Sequence, residues 1–274
     1  MDNSAQRPRL VVVRRDRWRM DQLSWPFRGT EAIGAGLLTR RELRRFYTPL
    51  YPGFWIPRGA EPTASERSRG AWLWSRRRGV LAGLSAAVMH NARWIDSETV
   101  PELVHDNRRP PPLITVHTDT LLPDETELRA GMAMTTPART AFDLGRRLPL
   151  AEGVQRIDAL LNATGLTVAD IEAVAQRHPG VRGLRRLRQT LELVDGGAES
   201  PYESLTRLTL VQAGFPRPQT QIRVYDEFGR VVARLDMGWL EYLVGVDFDG
   251  AHHWTDPRQR NADVDRYWLL PRLG

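Results

Sequence analysis

Two periods divide the chain. From Thr136 to Val194 apolar residues return every three or four positions, which predicts helices; from Gln219 to Asp249 they return at every second position, which predicts strands. Thr136-Pro137 supplies the cap and first turn of a helix over PARTAFDLGRRL. A second helix covers Leu150 to Asn162, Thr167 caps a third running to Gln176, and Gly183 to Val194 forms a fourth. Further on, Ser200-Pro201-Tyr202-Glu203 opens a helix that Gly214 and Pro216 stop, and strands follow at Gln219 to Tyr225, Arg230 to Met237 and Tyr242 to Asp249. Between the two regimes DGGAESP, residues 195–201, is rich in turn formers and reads as a domain boundary.

Upstream the pattern is less regular. The first two dozen residues are rich in arginine and read as an arm or an edge strand at Leu10 to Val13. TEAIGAGLLTRRELRRFYTPLYPGFWIPRG then predicts a short helix, a break at Gly36, a second helix with Thr39 as N-cap and Glu42 closing a capping box, and an extended hairpin. That order resembles a small winged helix-turn-helix, with Arg40, Arg41, Arg44 and Arg45 offered to DNA phosphates; a helical cap with a solvated basic face is the competing reading. Glu61 to Trp94 reads as mostly helical, with Trp72, Trp74 and Leu81 in its core and Arg76, Arg77 and Arg78 outside it. Short strands are expected at Leu103 to His105 and Leu113 to His117, where both histidines read as strand-face residues because no carboxylate sits at ligand spacing. The expected class is therefore α+β or α/β in three parts: a winged-helix-like region (1–60), a mixed, mostly helical middle (61–195) and a C-terminal domain (198–274).

Composition narrows the chemistry. The 274 residues include no cysteine, which excludes disulfides, thiolate nucleophiles and Cys-ligated zinc and fits a reducing cytoplasm. All 39 basic residues are arginine, so no lysine serves as base or phosphate ligand. The net charge of +6 favours a polyanionic partner such as DNA, and no apolar run is long enough to span a bilayer. Against that basic background, GRVVARLDMGWLEYLVGVDFDGAHHW gathers Asp236, Asp247, Asp249, His252 and His253 within one hairpin and its exit. With the tight connection near Leu240 to Tyr242, Asp236 falls opposite Asp247, and paired residues hold their Cβ atoms about 4.5–5.5 Å apart. Carboxylates that close repel unless a cation neutralises both, and oxygen-only ligation suits Mg²⁺ or Mn²⁺. Glu203 would add a third carboxylate through water, although a Ser200–Glu203 capping box also accounts for it.

At these residues AESPYESLTRLTLVQAGFPRPQTQ and GRVVARLDMGWLEYLVGVDFDGAHHWTDPRQRNADVDRYWLL resemble an endonuclease-like domain related to very-short-patch repair endonucleases, within the PD-(D/E)XK superfamily. LSAAVMH and TTPARTAFDL are similar to an AbiEi-type antitoxin-like region that precedes such domains. The resemblance implies an α-β-β-β-α restriction-endonuclease-like core with Glu203 as the helix acid, Asp236 and Asp247 as metal ligands, and His252 or His253 as the base. It also implies that Gln259, Asp263 and Arg266 orient the metal ligands or contact DNA phosphates. Asp249 stands where many members carry lysine, and the family's last strand lies beyond Gly274, so the core is expected to be one strand short. Two functions follow: a metal-dependent DNA endonuclease, or a non-catalytic DNA-binding regulator of antitoxin type with a degenerate nuclease domain and a protein partner. A metal-binding structural module is a third.

Overall fold

The structure, a computed structural model, describes residues 23–107 and 109–248. The expected arm at Leu10 to Val13, together with Asp249, His252, His253, Gln259, Asp263 and Arg266, lies outside the described residues. The fold is mixed α and β, with three sheets among the described residues.

The first sheet belongs to the basic N-terminal unit. Strand β1 (Phe27–Arg28) leads into α1 (Gly29–Gly34), and Gly36, at φ 68, turns the chain toward α2 (Arg40–Phe46). Thr39 and Glu42 make the reciprocal capping box that starts α2. β2 (Tyr47–Tyr51) and β3 (Phe54–Pro57) form the antiparallel ribbon, and β1 pairs with β3 on its far edge. Phe27, Ala32, Leu38, Leu43 and Tyr47 close a small core under the two helices. Tyr51 and Phe54 pack the other way, into the core of the middle region with Leu73 and Leu81.

The middle region holds more strands than its periodicity predicts. After α3 (Ala64–Trp74) comes a two-residue strand, β4 (Val80–Leu81), inside the stretch expected to be mostly helical, and then α4 (Gly83–Met89). β4 is the centre of a five-stranded sheet in the order β6-β5-β4-β8-β7, built with β5 (Glu102–Val104), β6 (Thr115–His117), β7 (Thr126–Arg129) and β8 (Met132–Thr135). The β7–β8 hairpin turns on Ala130 and Gly131, both left-handed at φ 49 and 75. The helices expected from periodicity are present as α5 (Pro137–Arg147), α6 (Leu150–Thr164), α7 (Val168–Arg177) and α8 (Leu184–Leu191), packed around Phe142, Ile157, Leu160, Ile171 and Leu187. α5 and α8 meet at two glycines: a Cβ on Gly145 would lie 2.6 Å from Leu187 Cδ1, and one on Gly183, at φ +95, would lie 2.2 Å from the Arg146 carbonyl oxygen.

The C-terminal part continues as α9 (Pro201–Gln212), β9 (Gln219–Tyr225), β10 (Val231–Trp239) and β11 (Val244–Val246), an antiparallel sheet in the order β11-β10-β9. Asp226 shapes the first turn by accepting N–H bonds from Phe228 and Arg230. The third strand is shorter than the alternation suggests, because Leu240–Tyr242 forms a 3-10 turn and Leu243 is left-handed at φ 51. α9 packs on β10, where Met237 is buried, whereas β11 is an edge strand among the described residues and Val244 stays exposed.

Segment 195–201 is tied down on both sides. Asp158 of α6 accepts from the N–H of Asp195 at 2.6 Å and from the Ser204 hydroxyl at 2.6 Å, and pairs with Arg207, buried like itself. Arg207 also donates to the Leu193 carbonyl, and Arg234 clasps Glu199 through two bonds of 2.8 and 2.9 Å.

Candidate functional site

On the N-terminal unit, α2 carries its arginines on the outside. Leu43 alone of this helix is buried, whereas Arg40, Arg41, Arg44 and Arg45 are exposed, and none of them pairs with a carboxylate of the described residues. Arg45 lies over the Phe46 ring at 5.1 Å. The free end of α2 is held by Arg58, which the sequence reading missed: its guanidinium donates to the carbonyls of Arg44 at 2.9 Å and Arg45 at 3.3 Å. A cation at the helix C-terminus also complements the helix dipole. Its signal, a basic residue just past the ribbon, is too common to be diagnostic.

On the C-terminal sheet, Met237 pairs with Val246, so the next rung sets Asp236 opposite Asp247, as the spacing predicts. The two side chains bond reciprocally across the ladder end. Asp247 Oδ1 accepts from the Asp236 N–H at 2.9 Å, and Asp236 Oδ2 accepts from the Phe248 N–H at 2.8 Å. Glu203 lies near them on α9. Its own N–H donates to the Ser200 hydroxyl at 3.2 Å, and its carboxylate accepts from the Glu199 N–H at 2.9 Å, one residue before the cap. Burial pushes the Glu203 carboxyl above its ordinary value, and the negative charge of Asp236 pushes the same way. No group of three or more His, Cys, Asp or Glu side chains among the described residues is arranged to hold a metal.

The middle region holds a third constellation, which the sequence reading did not find. Arg139 of α5 is 1% exposed, and its guanidinium bonds Asp143 Oδ2 at 3.0 Å, the Thr120 carbonyl at 3.0 Å and Glu125. Arg146 bonds the other Asp143 oxygen at 2.8 Å and reaches Asp119. His178 lies 2.7 Å from Glu125 Oε1, and since a carboxylate only accepts, His178 Nε2 carries the proton. Phe142 is held between the Arg139 and Arg146 guanidiniums at 5.4 and 5.3 Å. Burial raises the Glu125 carboxyl, but bonds from His178, the Leu122 N–H and Arg139 outweigh it and bring the group below its ordinary value. These bonds stay within the protein, which makes the cluster a framework holding α5, α7 and the 119–125 loop together. The Arg139/Asp143/Arg146 spacing of four and three was visible in the sequence; Glu125, Asp119 and His178 come from other elements.

His117 likewise has the carboxylate partner that its strand lacks: Glu102, on the neighbouring strand, lies 2.7 Å from Nε2. His105 Nδ1 lies 2.9 Å from Asp106 Oδ1. Of the basic helix, Arg186 caps the end of α5 through the carbonyls of Arg147 and Leu148, whereas Arg182, Arg185 and Arg188 are exposed.

A five-stranded sheet flanked by helices, carried behind two short helices and a strand ribbon, makes this a mixed α and β protein with a basic outer helix. Residues 82–193 match the family model described as the AbiEi antitoxin C-terminal domain. Two curated proteins of Mycobacterium tuberculosis are similar: uncharacterized protein MT2308 of strain CDC 1551 / Oshkosh and uncharacterized protein Rv2248 of strain ATCC 25618 / H37Rv. Each is 28% identical over 145 residues, covering 53% of this chain and 53% of the relative. The chain thus spans about half the length of the curated relatives it matches. The matched family segment contains the buried ionic cluster and excludes both α2 and the Asp236–Asp247 pair. No helix among the described residues is long and apolar enough to cross a membrane.

Proposed function

We propose that this protein is a DNA-binding regulator of antitoxin type. The antitoxin-family match at 82–193 carries the reading, and the helix-turn-helix packed against that region through Tyr51 and Phe54 supports it. In this reading Arg40, Arg41, Arg44 and Arg45 of α2 contact phosphates, and the β2–β3 ribbon is the wing. The matched domain supplies the surface for a protein partner. Selection of bound duplexes from a randomised DNA library tests it. Enrichment of a shared sequence is the expected outcome, and recovery of an unenriched pool contradicts a regulator.

A second reading is favoured by one observation, the facing carboxylates of Asp236 and Asp247 with Glu203 under the electrostatic influence of Asp236. Asp236 and Asp247 are hard oxygen donors of the kind Mg²⁺ or Mn²⁺ takes, so their chemistry fits such an ion. An ion held by Asp236 and Asp247 would supply Lewis-acid chemistry at a DNA phosphodiester. Asp249, His252, His253, Gln259 and Arg266 belong to this reading as further acid, base and DNA-contact groups. Supercoiled plasmid in Mg²⁺ or Mn²⁺ is then nicked by the protein and not by Asp236→Ala. Equal nicking by both, or by neither, removes the endonuclease reading and leaves the regulator standing.

A further inference from the structure

Between the N-terminal unit and the end of α3 lies a cleft of about 320 Å³, walled by Arg28, Thr30, Gly53, Phe54, Trp74 and Arg76. A second lobe of about 230 Å³ shares Trp74, Arg76 and Asn107 with it and adds Arg78, Asp106 and His105. The larger lies within the roughly 300–1,000 Å³ that small-molecule sites occupy, and the smaller opens beside it.

The walls are specific in chemistry. Arg28, Arg76 and Arg78 bring three guanidiniums to the two lobes. Arg28 is 3.6 Å from Glu31 and Arg78 is 3.4 Å from Asp106, whereas Arg76 has no carboxylate partner among the described residues. Arg76 and Arg77 both sit at positive φ, 58 and 63, where α3 ends. Glycine fills such a position with less strain, so an arginine there keeps its guanidinium at a conformational cost. The turn that imposes this backbone is well bonded: the Arg77 N–H reaches the Trp72 carbonyl at 3.1 Å, and Ser75 Oγ accepts from the Gly79 N–H at 2.9 Å. The half-buried Trp74 presents an aromatic wall to both lobes. The His105 side chain is 9% exposed; Nδ1 accepts the Asn107 N–H at 2.8 Å, and Nε2 has no hydrogen-bond partner.

Guanidiniums that outnumber their carboxylates call for an anion, an indole calls for a planar group, and Asn107 with His105 offers polar atoms for the edge of that group. We propose that this cleft binds a nucleoside phosphate, either as a free nucleotide or as an unpaired nucleotide of a nucleic acid, with Arg76 on the phosphate and Trp74 against the base. The site stands apart from α2 and does not depend on how α2 meets DNA.

Fluorescence polarisation of the full chain with a mant-labelled ADP, and separately with a fluorescein-labelled single-stranded dT oligonucleotide, tests the proposal and distinguishes the two sources. Saturable binding of either probe supports it, provided unlabelled ADP displaces the probe better than adenosine or inorganic phosphate alone. Arg76→Gly removes the guanidinium while relieving the positive φ, so the fold is retained, and it weakens binding about tenfold or more, the loss of a charge-assisted hydrogen bond. Arg185→Ala removes the same charge from exposed α8 and leaves binding unchanged. Failure of both probes to saturate by about millimolar concentration, or equal binding by wild type and Arg76→Gly, overturns the proposal.

Discussion

Glu125 has the most consequential side chain in the matched domain. It is fully buried and accepts from His178 and Arg139, so its removal takes one of two carboxylates from an arginine that is itself 1% exposed. Breaking one side of a buried pair costs roughly 3–5 kcal/mol, more than the pair contributes when intact. Glu125→Gln is accordingly expected to lower stability by about that amount in urea unfolding at neutral pH. Its carboxyl titrates below the ordinary 4.5 in the folded chain, so its contribution is present above about pH 4.5 and is lost as pH falls through the depressed value. The gap between wild type and Glu125→Gln should therefore narrow on acidification; a gap that widens below pH 4.5 contradicts the assignment. Asp158 behaves in the opposite sense. Burial pushes it up from 3.8 to about 6 against the pull of Arg207, Ser204 and the Asp195 N–H. Its contribution is greatest below about pH 4 and declines as pH rises through about 6, so Asp158→Asn should be less damaging at pH 8 than at pH 4 in thermal melts.

Among the elements, those with local causes were legible in the sequence. Thr39, Thr136, Thr167 and Ser200 each accept the backbone N–H three residues on, and a cap needs only its own first turn. β9 was equally legible, because alternation and the Asp226–Gly229 turn are written in adjacent residues. β4 was not: two residues carry no period, and its partners β5 and β8 lie more than 20 and 50 positions away. The β7–β8 hairpin hides because Glu, Leu, Arg, Ala and Met are good helix formers, and only the left-handed Ala130-Gly131 pair reverses the chain. The candidate sites divide in the same way. The α2 arginines follow from one amphipathic turn and the facing aspartates from one hairpin, whereas Glu125 and His178 are brought to Arg139 by tertiary packing. The α5–α8 crossing gives an element-level prediction. Gly183→Ala places a Cβ against the Arg146 carbonyl at positive φ, and a loss of about 1–3 kcal/mol is expected in denaturant unfolding. An unchanged midpoint would mean that α8 is free to move away from α5.

Across the whole molecule, the three regions are joined by buried bonds as well as by the chain. Tyr51 and Phe54 seat the N-terminal ribbon on the middle sheet, and Asp158 with Arg207 seats α9 on α6. In the regulator reading, α2 is thereby a rigidly mounted basic edge on a protein of net charge +6. The most direct measurement is the salt dependence of duplex DNA binding for wild type and for Arg41→Ala/Arg44→Ala. Each lost phosphate contact should reduce the magnitude of the log–log slope by about 0.9, so the double variant should bind more weakly and with a slope shallower by roughly 2. Equal affinity and equal slope for the two proteins would contradict α2 as the DNA-contacting helix.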